Sequence, residues 1–248
     1  MKPHVFIIAE AGVNHNGSLE LAYKLVDAAK EADADCVKFQ TYITENDTAV
    51  NCEKAEYQKT EQQESQYELL KKLELSFDDF RKIQEYCKKK EIMFLSTPFD
   101  IESLKFLEEI HMPIWKIASS EVENFQLLRE MAKTHKPIIL STGMCTIEEI
   151  SNAVDVLKKY GAGEIKILHC NTQYPTPMED VNLKAMYELK SMFQCDIGYS
   201  DHTQGIEVPI AAVAMGATII EKHFTLDRNM EGPDHVASLN PLELKEMV

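Results

Sequence analysis

The sequence predicts an α/β protein folded as a (β/α)8 barrel of the TIM-barrel class, in one catalytic domain spanning residues 1–248. Eight short β-rich runs alternate with amphipathic helical stretches over 248 residues, a length at which a single domain is ordinary. Every run carries a polar or charged residue toward its C-terminal end. No GxGxxG follows a strand, which sets the doubly wound open sheet behind the barrel.

The strand runs are VFIIAEAG (5–12), CVKFQ (36–40), IMFLSTP (92–98), IWKIAS (114–119), PIILSTG (137–143), IKILHCN (165–171), DIGYSD (196–201) and TIIEKHF (218–224). β-Branched and aromatic residues dominate them, and turn residues bound them. Between them, 18–32 places Leu19, Ala22, Leu25, Val26 and Ala29 on one helical face. The helix over 146–160 does the same with Ile147, Ile150, Val154 and Leu157, and Thr146 with Glu149 has capping-box spacing. The helix SFDDFRKIQEYCKKK follows a long polar connection, 41–75, expected to act as a lid over the C-terminal end of the barrel. In NPLELKEMV, Asn240 is a natural N-cap and Pro241 suits the first helical position. The run stops short of barrel-helix length, so the barrel is expected to be truncated within its last helix.

Bulk properties narrow the function. Forty-one Asp and Glu against twenty-six Lys and Arg give a formal charge of −15, which argues against nucleic-acid or anionic-membrane partners. There is no run of eighteen apolar residues and no signal-peptide pattern, so a cytoplasmic protein is expected. Six scattered cysteines without a CxxC fit reduced thiols, and the sequon Asn46-Asp47-Thr48 is read as chance.

Residues two apart on a strand share a face. By that parity Glu10 goes with Gly12, Lys38 with Gln40, Leu95 with Thr97, Lys116 with Ala118, Ile139 with Ser141, His169 with Asn171, Gly198 with Ser200 and His202, and Glu221 with His223. Polar groups inside a barrel are costly unless they meet a ligand, an ion or one another. A lone strand-end Ser or Thr is as readily satisfied by its own loop. Lys38 and Lys116 differ, because each sits mid-strand among apolar neighbours.

Two lysines with the hydroxyls of Thr97, Ser119, Ser141 and Ser200 suit a small substrate carrying phosphate and carboxylate. His202 and His223 end adjacent strands, so a divalent ion with open positions is the favoured reading over two core histidines. Cys170 falls on the opposite parity to His169 and is not counted as a ligand. Glu121 is open between a general acid or base and an ordinary carboxylate at a helix start. His15 and His111 read as turn residues.

The ordered segments IAEAGVNHNG, VKFQTY, SQYELLKKLELS, FLSTPFD, WKIASSE, LSTGM, LHCNTQYPTP, GYSDHT and EKHFTLDRNMEGPDH resemble the bacterial sialic acid synthase family, N-acetylneuraminate synthase and close relatives, from residue 6 to the end. The resemblance implies condensation of phosphoenolpyruvate with the open-chain aldehyde of N-acetylmannosamine, giving N-acetylneuraminate and phosphate by C–O cleavage. It implies Mn2+ or Mg2+ held by His202 and His223. It implies phosphoenolpyruvate contacts from Lys38, Thr97, Lys116, Ser119, Ser141, Asn171 and Ser200, and contacts to the N-acetylated amino sugar from Glu10, Gln40, Tyr174 and Asp234. Glu121, Glu10 and Lys38 are the catalytic candidates, Glu121 for proton transfer. The family also carries a C-terminal antifreeze-like domain, which supplies an arginine to the partner's site in a homodimer; this chain shows no such segment. Ser120 stands where many relatives have Gly, and Gln173 where many have Glu.

The legionaminic acid branch, using a 2,4-diacetamido-2,4,6-trideoxy-mannose, is the near alternative. A metal-dependent pyruvate aldolase would share the barrel but leave Lys38 and Lys116 without a phosphate to bind. A non-catalytic sugar-binding barrel is the remaining class.

Overall fold

The computed structural model describes residues 4–54 and 64–248. In chain order the elements are β1 (Phe6–Gly12), α1 (Leu19–Glu31), β2 (Cys36–Thr41), α2 (Thr44–Asp47), α3 (Gln66–Leu73), α4 (Phe77–Lys90), β3 (Met93–Pro98), α5 (Ile101–Glu109) and β4 (Trp115–Ile117). There follow α6 (Phe125–Lys133), β5 (Ile138–Ser141), α7 (Ile147–Lys159), β6 (Ile165–Cys170), α8 (Ala185–Phe193), β7 (Ile197–Asp201), α9 (Glu207–Ala214), β8 (Ile219–His223) and α10 (Pro241–Met247). Eight parallel strands run in the order β3-β2-β1-β8-β7-β6-β5-β4, with β3 lying beside β4, so the sheet nearly closes on itself. This is the expected TIM barrel, and all eight strand runs form.

Several helices combine an apolar stripe with a side-chain cap. The Ser18 side chain accepts from Leu21 N and starts α1, which buries Ala22, Leu25, Val26, Ala28 and Ala29 against the sheet. Thr146 and Glu149 make the reciprocal capping box of α7, which buries Ile150, Ala153, Val154 and Leu157. Ile147, expected on that buried face, is the first residue of α7 and is 45 % exposed. Asn240 caps α10 with Pro241 in its first turn, as expected.

The described part of the 41–75 connection holds secondary structure. It contains α2 and α3, and Glu74 Oε2 accepts from both Thr44 N (2.9 Å) and Thr44 Oγ1 (2.5 Å). Leu73 packs with Val13 and Tyr42 in a small apolar cluster beside the C-terminal ends of β1 and β2. The middle of the expected lid, residues 55–63, lies outside the described residues.

The lumen is filled at its floor. Gly198 faces Leu168 and Ile219, and a Cβ there would come within 2.5 Å of Ile219 O and Leu168 Cδ2. Gly198→Ala is therefore expected to destabilise the fold by about 1–3 kcal/mol through overpacking, read as a lowered melting temperature. An unchanged melting point would mean that the floor is looser than these contacts allow.

Candidate active site

Above that floor the lumen turns polar. The cavity at the C-terminal ends of the strands holds about 450 Å³ of empty space counting its open mouth, a size suited to small ligands. The register explains the convergence: Glu10 pairs with Lys38 across β1 and β2 and with His223 across β1 and β8, so their side chains share the inner face. Ser200 is level with Glu221 across β7 and β8.

Four buried charges form the base of the cavity. Lys38 Nζ lies 2.7 Å from Glu10 Oε2 and 3.7 Å from Glu221 Oε2. Lys116 Nζ lies 3.5 Å from Glu221 Oε1 and donates to Ser141 Oγ at 2.8 Å. Thr97 Oγ1 accepts from Lys38 at 3.2 Å, and Ser200 Oγ donates to Glu221 Oε1 at 3.0 Å. Burial works against Glu221 ionising, but Lys116 and Lys38 outweigh it and hold its carboxyl below the usual range. Glu10 goes the other way, raised by burial and by the Glu221 charge despite the nearby Lys38. The two ammonium groups thus share unequal carboxylates. Burial lowers Lys116, whereas the two carboxylates raise Lys38 against its burial. An anion entering here meets two lysines and hydroxyls already aimed inward.

The histidine pair sits at the rim. The rings of His202 and His223 are 5.4 Å apart, and Tyr174 stacks on His202 at 4.0 Å and meets His223 edge-on. His202 Nδ1 is 2.6 Å from the Asn171 carbonyl oxygen, so Nδ1 carries the proton and Nε2 keeps a lone pair. Burial lowers the His202 pKa to about 4 and takes His223 well below its ordinary value, so both are neutral near pH 7. His223 Nδ1 is buried without a hydrogen bond, 3.8 Å from Asp234 Oδ2. Two neutral imidazoles with free lone pairs fit a divalent ion. Among the described residues no cluster of three or more His, Cys, Asp or Glu could hold a metal, so such an ion would keep positions open for water or substrate oxygen.

Most of the expected residues meet in this one cavity: Glu10, Lys38, Gln40, Thr97, Lys116, Ser119, Ser141, Asn171, Tyr174, Ser200, His202 and His223. Asp234 is buried at its edge beside His223, and burial pushes its carboxyl up to about 6. Glu121 does not line the cavity. Its carboxylate accepts from Asn124 Nδ2 at 2.8 Å in the turn after β4, half-buried, with its pKa raised by burial. The Gly143 backbone lies so close to Ser119 that a Cβ would approach its Oγ to 2.4 Å, so glycine at that turn keeps the serine in place.

Parity misleads at β6. His169 faces outward, bonding Val181 O at 2.9 Å and packing on Tyr199, while Cys170 faces the cavity. Asn171 reaches the cavity because it lies past the strand's last rung, where alternation no longer applies. Sequence reasoning passed over Phe99 and Thr172 as lining residues and gave Glu221 no role, although its parity with His223 was a usable signal. His235 is structural: Nδ1 meets Thr225 Oγ1 at 2.7 Å and Nε2 meets Asn16 Oδ1 at 3.1 Å. A larger groove between α7 and α8, lined by Val154, Ile165, Phe193 and Cys195, opens at the opposite end of the strands, and its charged residues Lys158, Glu164, Lys190 and Asp196 are all exposed.

The model of the NeuB family matches residues 25–248. The chain is 53% identical over 243 residues to the N,N'-diacetyllegionaminic acid synthase of Campylobacter jejuni, covering 96% of this chain and 73% of the relative. It is 51% identical over 251 residues to the N,N'-diacetyllegionaminic acid synthase of Legionella pneumophila, covering 98% and 70%. The crystal structure of the N-acetylneuraminic acid (sialic acid) synthetase from Leptospira borgpetersenii superposes with a TM-score of 0.88 at 42% identity, covering 99% of this chain and 81% of that one. No helix among the described residues is long and apolar enough to cross a membrane. The chain belongs to the NeuB family and is a phosphoenolpyruvate-condensing synthase, a transferase; enzymes of this family are metal-dependent.

Proposed function

We propose that this NeuB-family barrel condenses phosphoenolpyruvate with the open-chain aldehyde of 2,4-diacetamido-2,4,6-trideoxy-mannose, giving N,N'-diacetyllegionaminic acid and phosphate. The observation that carries the sugar assignment is the identity of the relatives. Two that share more than half of its residues are both named as N,N'-diacetyllegionaminic acid synthases, whereas the Leptospira structure named for sialic acid shares fewer. Similarity therefore favours the diacetamido sugar over the N-acetylmannosamine that the motifs alone suggest.

In this reading Lys38, Lys116, Thr97, Ser119, Ser141, Asn171 and Ser200 bind phosphoenolpyruvate, the lysines replacing their internal carboxylates with substrate phosphate and carboxylate. Glu10, Gln40, Tyr174 and Asp234 surround the sugar. C3 of phosphoenolpyruvate attacks the aldehyde carbon, water adds at C2, and the C–O bond to phosphate breaks. Glu10, raised to about 7 chiefly by burial, is suited to give a proton to the new hydroxyl. Glu121 can take part only if its loop brings it inward from the turn where Asn124 holds it. His202 and His223 would hold Mn2+ or Mg2+, which when bound supplies Lewis acidity toward the aldehyde oxygen. The barrel over 1–248 is the catalytic domain here; an antifreeze-like domain, with the arginine the resemblance implies, would act from outside it. The reading goes with a cytoplasmic, homodimeric enzyme.

Phosphate release with each sugar tests the assignment. The diacetamido sugar is expected to give a kcat/KM at least about tenfold above N-acetylmannosamine, as for a pocket that holds one more polar group of its substrate. A preference for N-acetylmannosamine would return the assignment to sialic acid.

A further inference from the structure

Directly behind the histidine pair, on the outer face of the sheet, lies a second ion pair that the chemistry above does not use. Asp201 and Lys222 are both fully buried and in direct contact. They are register partners across β7 and β8, on the last rung of that ladder. His202 and His223 are the next residues on their respective strands. Beyond the rung, the chain at 202–203 leaves the sheet and has no strand partner.

The pair replaces the missing ladder. Lys222 Nζ donates to Asp201 Oδ2 and also to the Thr203 carbonyl oxygen. Asp201 Oδ1 accepts from Thr203 N at 3.0 Å, and Oδ2 from Thr203 Oγ1 at 3.0 Å. The Thr203 carbonyl is therefore tied to Lys222 of β8, and the Thr203 N–H to Asp201 of β7, which Lys222 itself holds. From the other side, His202 Nδ1 meets Asn171 O and His202 O accepts from Thr176 N at 2.8 Å.

A buried ion pair is weak evidence for stability, because desolvation offsets most of its attraction and an apolar pair of similar size is often as stable. Its best-attested use is to fix register. We propose that Asp201 and Lys222 are positioning residues: they lock β7 against β8 at the final rung and fix the 201–203 backbone, so that His202 and His223 present their nitrogens to one divalent ion. This rests on the reading that the two histidines bind that ion.

The test is Mn2+ binding, followed by loss of the free-ion electron paramagnetic resonance signal, in Asp201→Asn/Lys222→Met. Removing both charges together avoids stranding one of them. The double variant is expected to keep a cooperative melt, to bind Mn2+ at least about tenfold more weakly, and to bind phosphoenolpyruvate without metal within about twofold of the parent, as loss of support behind a ligand predicts. Thr203→Val keeps both charges and shape and is expected to weaken Mn2+ about threefold; it decides the matter if the double variant does not fold. Parent-like Mn2+ affinity in the folded variants would overturn the proposal. His202→Ala separates the two layers. If it too binds Mn2+ like the parent, the ligand reading has failed; if it alone loses the ion, only the positioning role has failed.

Discussion

His223→Ala is expected to abolish tight divalent-ion binding and to slow phosphate release by about three orders of magnitude or more. The reason is the sparseness of the donor set. Among the described residues the rim offers two imidazoles and no third protein ligand, so losing one leaves a single nitrogen and water. Lewis-acid stabilisation of developing charge contributes several kcal/mol, and each ~1.4 kcal/mol is a factor of ten in rate. The fold should tolerate the change, because His223 makes no hydrogen bond through Nδ1 and its backbone remains in the β1–β8 ladder. Metal content and a thermal melt check both halves. Full metal content in the variant would put the ion elsewhere.

Lys116→Ala is expected to raise the KM for phosphoenolpyruvate by about a hundredfold while leaving the KM for the sugar within about threefold. Lys116 is almost wholly buried, with Ser141, the Ile117 carbonyl and Glu221 as its neighbours, on the side of the cavity away from the histidine rim. Truncating one member of a buried, hydrogen-bonded charge pair typically costs about 2–5 kcal/mol. Here that loss should fall on the substrate that bears the phosphate. Equal loss for both substrates would mark Lys116 as a structural lysine.

The fold was legible in the sequence because period-two and period-3.6 patterns are local. All eight strands and the α1 and α7 caps form within a few residues of their expected ends. The ends of strands are where parity fails. His169 obeys the β6 alternation and points away from the cavity, while Asn171 reaches it from beyond the ladder. Glu121 eluded pattern reasoning for a related cause: a short turn after β4, not a strand, sets its direction, and Asn124 holds it there. Asp234 reaches His223 from a loop eleven positions further along the chain, a proximity that no spacing rule encodes. The Asp201–Lys222 pair was equally hidden, since its meaning lies in a cross-strand register.

The most direct test of the account is whether phosphoenolpyruvate and a divalent ion occupy the same cavity. Mn2+ broadens the 31P resonance of a phosphate bound close to it, so the protein can be titrated with Mn2+ in the presence of phosphoenolpyruvate. The account predicts strong broadening with the parent chain, reduced to that of Mn2+ and phosphoenolpyruvate free in solution by either His223→Ala or Lys116→Ala. Parent-level broadening in both variants would contradict it, because neither the histidine pair nor the lysine cradle would then be the place where the two meet.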